Sequence, residues 1–261
     1  MLIDSHAHYD DKQFDIDRDM VMKKIESQGV AAVVNPSENL ASMRKVLEMS
    51  EAYGFLYAAL GFHPHNAAEF SIEFLDTIRE MSKSGKVVAI GEVGLDYYYD
   101  FSPREAQKKC FAAHISVAKE LKLPLIIHDR DAHKDVIDII KAENAGSAGG
   151  VFHCFPGSVE MAREVLDAGF YIALGGAVTF KNAKRPVEVA KYVPIDRLLV
   201  ETDSPYMAPV PYRGKRNDSG YLPVIIEKIA EIRDMEYEQV ARATAENACR
   251  LFNLRLSCQE G

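Results

Sequence analysis

The chain has 261 residues, of which 48% are hydrophobic and 27% are charged, and its formal net charge is −8. A chain of this length can bury a large core, in one large domain or in two small ones. The acidic balance argues against a broad basic surface that coats nucleic acid, but it allows a local basic pocket that holds one nucleic-acid end.

Neither a membrane segment nor a disulfide framework is indicated by the sequence. No apolar run approaches the ~18–20 residues that a membrane-spanning helix needs, and the first residues lack the basic and apolar regions of a signal peptide. Four cysteines lie far apart without a C-x-x-C pair: Cys110, Cys154, Cys249 and Cys258. We therefore expect reduced thiols in a cytoplasmic protein that does not associate with membranes.

Short apolar runs alternate with helix-like segments along the chain. The predicted strands are 2–8, 31–37, 55–65, 87–97, 124–130, 150–155, 170–176 and 198–206. The predicted helical segments are 15–28, 39–53, 71–83, 103–121, 132–143, 158–168 and 184–192, followed by a helical tail at 222–253. Strands rich in Val, Ile and Leu that alternate with helices indicate a parallel sheet buried on both faces. At this length, eight strands favour a closed (β/α)8 TIM barrel over an open doubly wound sheet, with residues 1–261 forming one domain.

Polar residues collect at the ends of the predicted strands, beginning with MLIDSHAHYD. Asp4, His6 and His8 occupy every second position there, so on a strand they would point to one face. Other strand ends and the loops after them carry His63, His65, Glu92, His128, His153 and Asp203. The C-terminal strand ends of a TIM barrel meet at one mouth, where active sites are built. The pattern therefore predicts one shared polar site.

Imidazole and carboxylate groups together suit divalent metal ions. We assign one ion to His6, His8, Glu92 and Asp203, and a second ion to Glu92, His128 and His153. Glu92 would then bridge the two ions. One histidine at a strand end is more often a hydrogen-bonded structural residue, but six such ligands at five strand ends argue against that interpretation. The sequence does not choose among Zn, Mn, Mg, Ni and Co.

Six stretches resemble the TatD family of metal-dependent deoxyribonucleases, which are amidohydrolase-like TIM barrels. They are DSHAH (4–8), GFHPH (61–65), GEVGLDY (91–97), IIHDR (126–130), FHCFPG (152–157) and ETDSPYMAP (201–209). The resemblance extends from end to end of the chain and implies the barrel, the two-metal site and phosphodiester hydrolysis. It also places His63 near the substrate phosphate. Pro156 stands where the family usually has Ser, at a position that is not a ligand.

Further residues are candidates for contact with the substrate. His65 either touches the substrate or only caps its loop. Arg213, Lys215 and Arg216 follow the last predicted strand, and the loops after strands 7 and 8 of many barrels bind phosphate; a solvated charged loop is the alternative. Aromatic rings that flank the mouth and could stack on bases are Phe62, Tyr97, Tyr98, Tyr99, Phe155 and Tyr206.

Two carboxylates are predicted to support the ligands from behind. Asp4 and Glu201 each precede a ligand by two residues, so each points the same way but deeper into the barrel. A buried carboxylate needs a partner, and the free N–H of a metal-bound imidazole is a natural one. An arginine inside the barrel is the alternative partner for Glu201.

These features predict a hydrolase that cleaves phosphodiester bonds of DNA or short oligonucleotides, from single-stranded ends, with water activated by two metal ions. Asp203 would accept or orient the proton of that water, and Glu92 and His63 would complete the catalytic set. The alternative is a metal-dependent hydrolase of a carbon ester, lactone or amide, including an aminoacyl ester. The basic loop, and Glu92 in place of a carbamylated lysine, count against that alternative. No obligate protein partner is implied.

Overall fold

Eight parallel strands form the centre of the protein in the computed structural model, which describes residues 1–256. The strands are β1 Leu2–Asp4, β2 Val30–Pro36, β3 Leu56–Leu60, β4 Val87–Asp96, β5 Leu125–Arg130, β6 Gly150–Phe152, β7 Tyr171–Leu174 and β8 Leu198–Val200. Each strand pairs with the next one along the chain, from β1 to β8. The predicted TIM barrel is confirmed. Cys258, one of the four cysteines predicted to be reduced, lies outside the described residues.

Helices follow the strands on the outside of the barrel. They are α1 Arg18–Ser27, α2 Leu40–Ala52, α3 Phe74–Met81, α4 Arg104–Leu121, α5 His133–Ala142, α6 Val159–Asp167, α7 Lys184–Tyr192, α8 Leu222–Arg233 and α9 Tyr237–Phe252. The predicted helical tail is two helices, because Asp234 adopts a left-handed conformation, with φ 51°, directly after α8. Within residues 1–256, none of the helices is both long and apolar enough to cross a membrane.

The first and last strands close the barrel over a short distance. The Ser5 N–H donates to the Val200 carbonyl at 3.2 Å, and an isolated parallel bridge joins Ala7 to Ser204. The prediction that these strands extend to residues 8 and 206 is wrong, because regular pairing ends at Asp4 and Val200. Most of the predicted ligands therefore lie in loops that continue the strands into the mouth.

The opposite end of the barrel is covered by α9. One apolar cluster joins inward-facing strand residues, such as Ile126 and Leu199, to Phe252 of α9. Nδ2 of Asn247 donates to the carbonyl of Leu198, where β8 begins, at 2.9 Å. The apolar face predicted in the tail therefore packs beneath the barrel interior and closes its N-terminal end.

One histidine lies away from the mouth, inside α4. His114 is fully buried, and its Nδ1 lies 2.8 Å from the Cys110 carbonyl, to which it donates. Its ring also packs against Phe62 and Phe70, with centroids 6.1 and 5.0 Å away. Burial lowers the pKa of His114 to about 4, so the ring is neutral at pH 7.

His114 should make the fold sensitive to acid. Because its pKa is about 4 in the folded state and near 6.5 when unfolded, protons bind the unfolded chain preferentially between these values. The free energy of unfolding should therefore fall as pH drops below about 6.5, by about 2 kcal/mol between pH 7 and pH 5 from this group alone. Urea unfolding at pH 7 and at pH 5 measures this loss, and the free energy of unfolding of His114→Phe should fall by that much less than the free energy of unfolding of the parent protein.

The matched control is Phe111→Leu, a change to a neighbouring buried residue that does not titrate. It should lower the free energy of unfolding equally at both pH values. If His114→Phe lost as much stability on acidification as the parent protein, His114 would not be the acid-sensitive group.

Candidate metal centre

Glu92, in the middle of β4, lies between two pairs of imidazoles. Its Oε2 is 3.2 Å from His6 Nε2 and 3.5 Å from His8 Nε2. Its Oε1 is 2.8 Å from both His128 Nδ1 and His153 Nε2. Burial by itself raises the pKa of Glu92, but the imidazoles hold that pKa well below its ordinary value. The carboxylate is therefore ionised, and its two oxygens face different histidines.

Asp203 completes the first of these groups from the loop after β8. Its Oδ1 lies 3.7 Å from Nε2 of both His6 and His8. Its own N–H donates to the His6 carbonyl at 2.9 Å, which fixes the two loops together. Burial raises the pKa of Asp203, and His153 and His8 partly oppose that rise. This carboxylate is thus closer to taking up a proton than Glu92 is.

The donor atoms fit divalent metal ions. Nitrogen and oxygen ligands that lie ~2.1 Å from one ion are roughly 3–3.5 Å from each other. The atoms around the two Glu92 oxygens are separated by similar distances, from 2.8 to 3.7 Å. The residues that could hold ions here include His6, His8, Glu92, His128, His153 and Asp203, and His63 and Glu201 also lie within reach of these groups.

His63 differs from the other imidazoles in its orientation. The backbone N–H of His65 donates to His63 Nδ1 at 3.2 Å, which assigns the proton of the neutral ring to Nε2. That Nε2–H lies 3.4 Å from Glu92 Oε1. Burial lowers the pKa of His63 to about 4, so the ring remains neutral. In this tautomer His63 is arranged as a hydrogen-bond donor, although it also lies close enough to Glu92 and His128 to belong to a possible ligand group, and its contact with substrate stays a prediction.

Asp96, at the end of β4, is a residue of the site that the sequence reasoning missed. Its Oδ2 lies 2.9 Å from His65 Nε2 and 3.1 Å from His128 Nε2. Burial raises the pKa of Asp96, but hydrogen bonds from these rings and from the Tyr99 N–H lower it more. The carboxylate orients His128 while the other nitrogen of that ring faces Glu92. Its position, four residues after Glu92 and on the same face of the strand, could have revealed it.

Gly94 allows β4 and β5 to bring Glu92 and His128 together. It lies between Glu92 and Asp96 and pairs in register with His128. Its φ is +140°, and a Cβ at this position would lie 2.0 Å from the His128 carbonyl oxygen. A side chain here would therefore push the two strands apart.

The two carboxylates predicted to stand behind the ligands have different partners. Asp4 accepts hydrogen bonds from the Thr202 N–H at 2.9 Å, the Ser219 hydroxyl at 2.6 Å and the His6 N–H at 3.3 Å. It therefore holds the backbones around two ligands rather than an imidazole ring. Burial raises the pKa of Asp4 to about 6, against the effect of these hydrogen bonds.

Glu201 lies next to a predicted ligand. Its Oε1 accepts the Cys154 N–H at 2.5 Å and is 3.8 Å from His153 Nδ1. Burial, and then the nearby Asp203, raise the pKa of Glu201 well above its ordinary value. Within residues 1–256 it forms no ion pair with an arginine. At 3.8 Å the carboxylate oxygen and the His153 nitrogen are too far apart for a hydrogen bond, so Glu201 holds the Cys154 backbone beside that ligand, and its support of the imidazole stays a prediction.

The three cations of the loop after β8 are not equivalent. Arg216 forms a bidentate ion pair with Asp17, at 2.8 and 2.6 Å, and its guanidinium lies over the Phe14 ring. Arg213 and Lys215 are exposed, and the Arg213 guanidinium lies 3.9 Å from the centroid of the Phe180 ring. Arg216 is arranged to anchor the loop to the protein, whereas the other two cations face solvent.

The aromatic residues predicted around the mouth also separate into two groups. Phe62 and Phe155 are buried, and the Tyr97 hydroxyl donates to Asp135 at 2.6 Å, so these rings pack beneath loops. Tyr98, Tyr99 and Tyr206 are exposed. Only the exposed rings can stack on a base.

Comparison of the whole chain with known proteins identifies its family. Residues 3–253 match the family model described as TatD related DNase. The chain belongs to the TatD family. Members of this family similar to the chain include metal-dependent hydrolases, and the chain is therefore a metal-dependent hydrolase.

Three TatD relatives illustrate the similarity. The Bacillus subtilis (strain 168) protein named uncharacterized metal-dependent hydrolase YabD is 48% identical over 254 residues, which cover 97% of this chain and all of that protein. An Erwinia tasmaniensis protein named 3'-5' ssDNA/RNA exonuclease TatD is 35% identical, covering 93% of this chain and 96% of that protein. The crystal structure of YJJV, a TatD homologue from Escherichia coli K12, superposes with a TM-score of 0.91 at 31% identity, covering 97% and 98% of the two chains.

Asp96→Asn should weaken metal binding by this TatD protein. Asn keeps the shape but removes the charge that accepts from His128 Nε2, and loss of such a partner typically weakens metal affinity by about 10–100-fold. The measurement is a metal titration against a chromophoric chelator. The control is Asp129→Asn on β5, a buried carboxylate that bonds to His133 instead. Equal affinities for Asp96→Asn and the parent protein would show that Asp96 does not support a ligand.

Proposed function

We propose that the chain removes nucleotides from single-stranded ends of DNA or short oligonucleotides by hydrolysis of phosphodiester bonds with two divalent metal ions. The proposal rests on the placement of the two carboxylate oxygens of Glu92. One oxygen lies near His6 and His8, and the other lies near His128 and His153. A carboxylate placed in this way is suited to bridge two cations. The Erwinia relative named as a single-strand exonuclease supports the choice of substrate.

The proposed ligands divide between two ions. One ion would be held by His6, His8, Glu92 Oε2 and Asp203, and the other by Glu92 Oε1, His128 and His153. When bound, divalent ions supply Lewis-acid chemistry, which polarises phosphoryl oxygens and lowers the pKa of water toward neutrality.

Two further side chains act on the reacting groups in this proposal. Asp203, whose pKa burial raises, takes up the proton that the attacking water loses. His63 donates its Nε2–H to an oxygen of the scissile phosphate and stabilises the negative charge that grows there. Asp96 keeps the His128 ring in place throughout, because it accepts from the nitrogen that faces away from Glu92.

The charge distribution favours a free end over a continuous duplex. With a net charge of −8, the surface outside the mouth repels the dense charge of duplex DNA. Arg213 and Lys215 contact phosphates of the strand near the mouth, while Arg216 holds their loop through Asp17. With so few phosphate contacts, the salt dependence of binding is shallow, about two or three ions. A cytoplasmic location and the single domain stay predictions.

Glu92→Gln should remove metal and activity together. Gln keeps the size of the side chain but loses the negative charge shared by the two histidine groups. We expect fewer metal ions per chain by inductively coupled plasma mass spectrometry, and activity lower by several orders of magnitude. Glu38→Gln is the control, since Glu38 lies near His8 and Glu92 but is not a proposed ligand. Two ions and normal turnover in Glu92→Gln would contradict the bridging role.

Linear and circular single strands of one sequence should be cleaved at different rates. Only the linear strand has an end that can enter the mouth, so we expect stepwise shortening of the linear strand and much slower loss of the circle. Gel analysis of labelled strands, after each divalent metal is added back to chelator-treated protein, measures both rates. Equal rates would point to an endonuclease. Cleavage of neither strand, together with turnover of an ester or lactone, would favour an acyl hydrolase.

A further inference from the structure

Three exposed aromatic rings lie together in the loop between β4 and α4. Tyr98, Tyr99 and Phe101 are 59%, 46% and 68% exposed, respectively. Together with Arg130 at the end of β5, they form what we call the aromatic platform. Single exposed apolar residues are common on protein surfaces, but a contiguous group marks a binding surface more often.

The exposed rings of the platform lie beside a positive charge. The rings of Tyr99 and Phe101 are stacked, with centroids 5.2 Å apart and an interplanar angle of 24°. The Arg130 guanidinium carbon lies 4.1 Å from the Tyr98 centroid and 4.7 Å from the Tyr99 centroid. Among residues 1–256, no carboxylate forms an ion pair with Arg130. The charge of this half-buried guanidinium is therefore available to an anion.

The platform is continuous with the metal centre. The His65 ring lies 5.3 Å from Tyr99 and 4.9 Å from Phe101, between centroids, and its Nε2 bonds to Asp96. The same carboxylate bonds to the proposed ligand His128 through Oδ2. Arg130 follows that ligand by two residues, so it points toward the same side of β5.

Hydrogen bonds hold the platform loop in place before any ligand binds. The N–H groups of Tyr98 and Tyr99 donate to Asp96 Oδ1 at 3.0 and 2.8 Å. The Ser102 hydroxyl donates to the His65 carbonyl at 2.8 Å, and Gln107 Nε2 donates to the Ser102 carbonyl at 2.8 Å. A surface that is ordered in advance loses less conformational entropy when it binds.

We propose that the aromatic platform binds an unpaired nucleobase adjacent to the scissile phosphodiester, with Arg130 contacting a neighbouring phosphate. The inference rests on the proposed function and specifies where the substrate strand lies. Bases of any sequence have a π-face that stacks on such rings, and the faces of bases inside a duplex are already covered. A protein partner fits less well, because three rings beside the buried acidic centre provide only a small apolar area.

The test compares a natural oligonucleotide with one of the same length that carries abasic residues near the cleaved end. In the metal-loaded protein, the double substitution Tyr99→Ala and Phe101→Ala should raise KM for the natural strand by roughly 10–100-fold, with a smaller change in kcat. KM for the abasic strand should be high in the parent protein and change little in the variant. The conservative Tyr99→Phe should keep the parent KM, and Tyr192→Ala is an exposed aromatic control on α7.

A binding measurement separates the platform from the hydrolysis. The chain contains no tryptophan, so Tyr99→Trp introduces one reporter ring at the platform. Natural oligonucleotide should quench its fluorescence, and the abasic strand should not. Equal quenching by both strands, or a KM preference for natural over abasic strand that survives the double substitution, would overturn the platform. Base-dependent quenching without any cleavage would retain the platform and reject the proposed hydrolysis.

Discussion

The arrangement of the mouth depends on the burial of one ionised carboxylate, Glu92. An isolated carboxylate in the interior costs several kcal/mol, so its charge has to be compensated by partners of opposite charge or by hydrogen-bond donors. Of the imidazoles that compensate it, His128 lies in β5, and the others lie in the loops after β1 and β6. The need to neutralise Glu92 therefore brings together chain segments that are more than a hundred residues apart in sequence, and the same charge makes the site suitable for cations.

A second set of carboxylates keeps this arrangement in position. Asp4 bonds to the loops after β1 and β8, which carry His6 and Asp203. Asp96 bonds both to the ring of His128 and to the backbone of the platform loop. These groups remain outside the reaction in our proposal, yet each fixes a loop that would otherwise be free to move. Hydrogen bonds from carboxylates behind the proposed ligands therefore hold those ligands in position.

Much of the fold was predictable because its signals are local. The period of apolar residues and the count of strands identified the barrel, and the residue types at the strand ends identified the candidate ligands. The end of β1 was predicted too far along the chain, because the polar alternation of His6 and His8 continues after regular pairing stops at Asp4, whereas the end of β5 was predicted at the right residue. Nothing local marks where pairing stops.

Long-range partners account for the remaining differences. Arg216 resembles Arg213 and Lys215 in the sequence, and its distinct role depends on Asp17, which lies 199 residues away. The alternation along β4 places Asp96 on the same face as Glu92, but its two histidine partners are evident only from the fold. Which of the aromatic rings pack beneath loops is likewise a tertiary property.

Helix α9 and the packed apolar side chains of the barrel interior close the end of the barrel opposite the mouth. A strand that enters the mouth has no passage through the apolar interior to the other end. In the proposed reaction, the released nucleotide would therefore leave by the opening through which the strand enters. Advance of the substrate strand and departure of the product would use the same opening. Departure of each nucleotide would therefore limit how many nucleotides are removed in a single binding event.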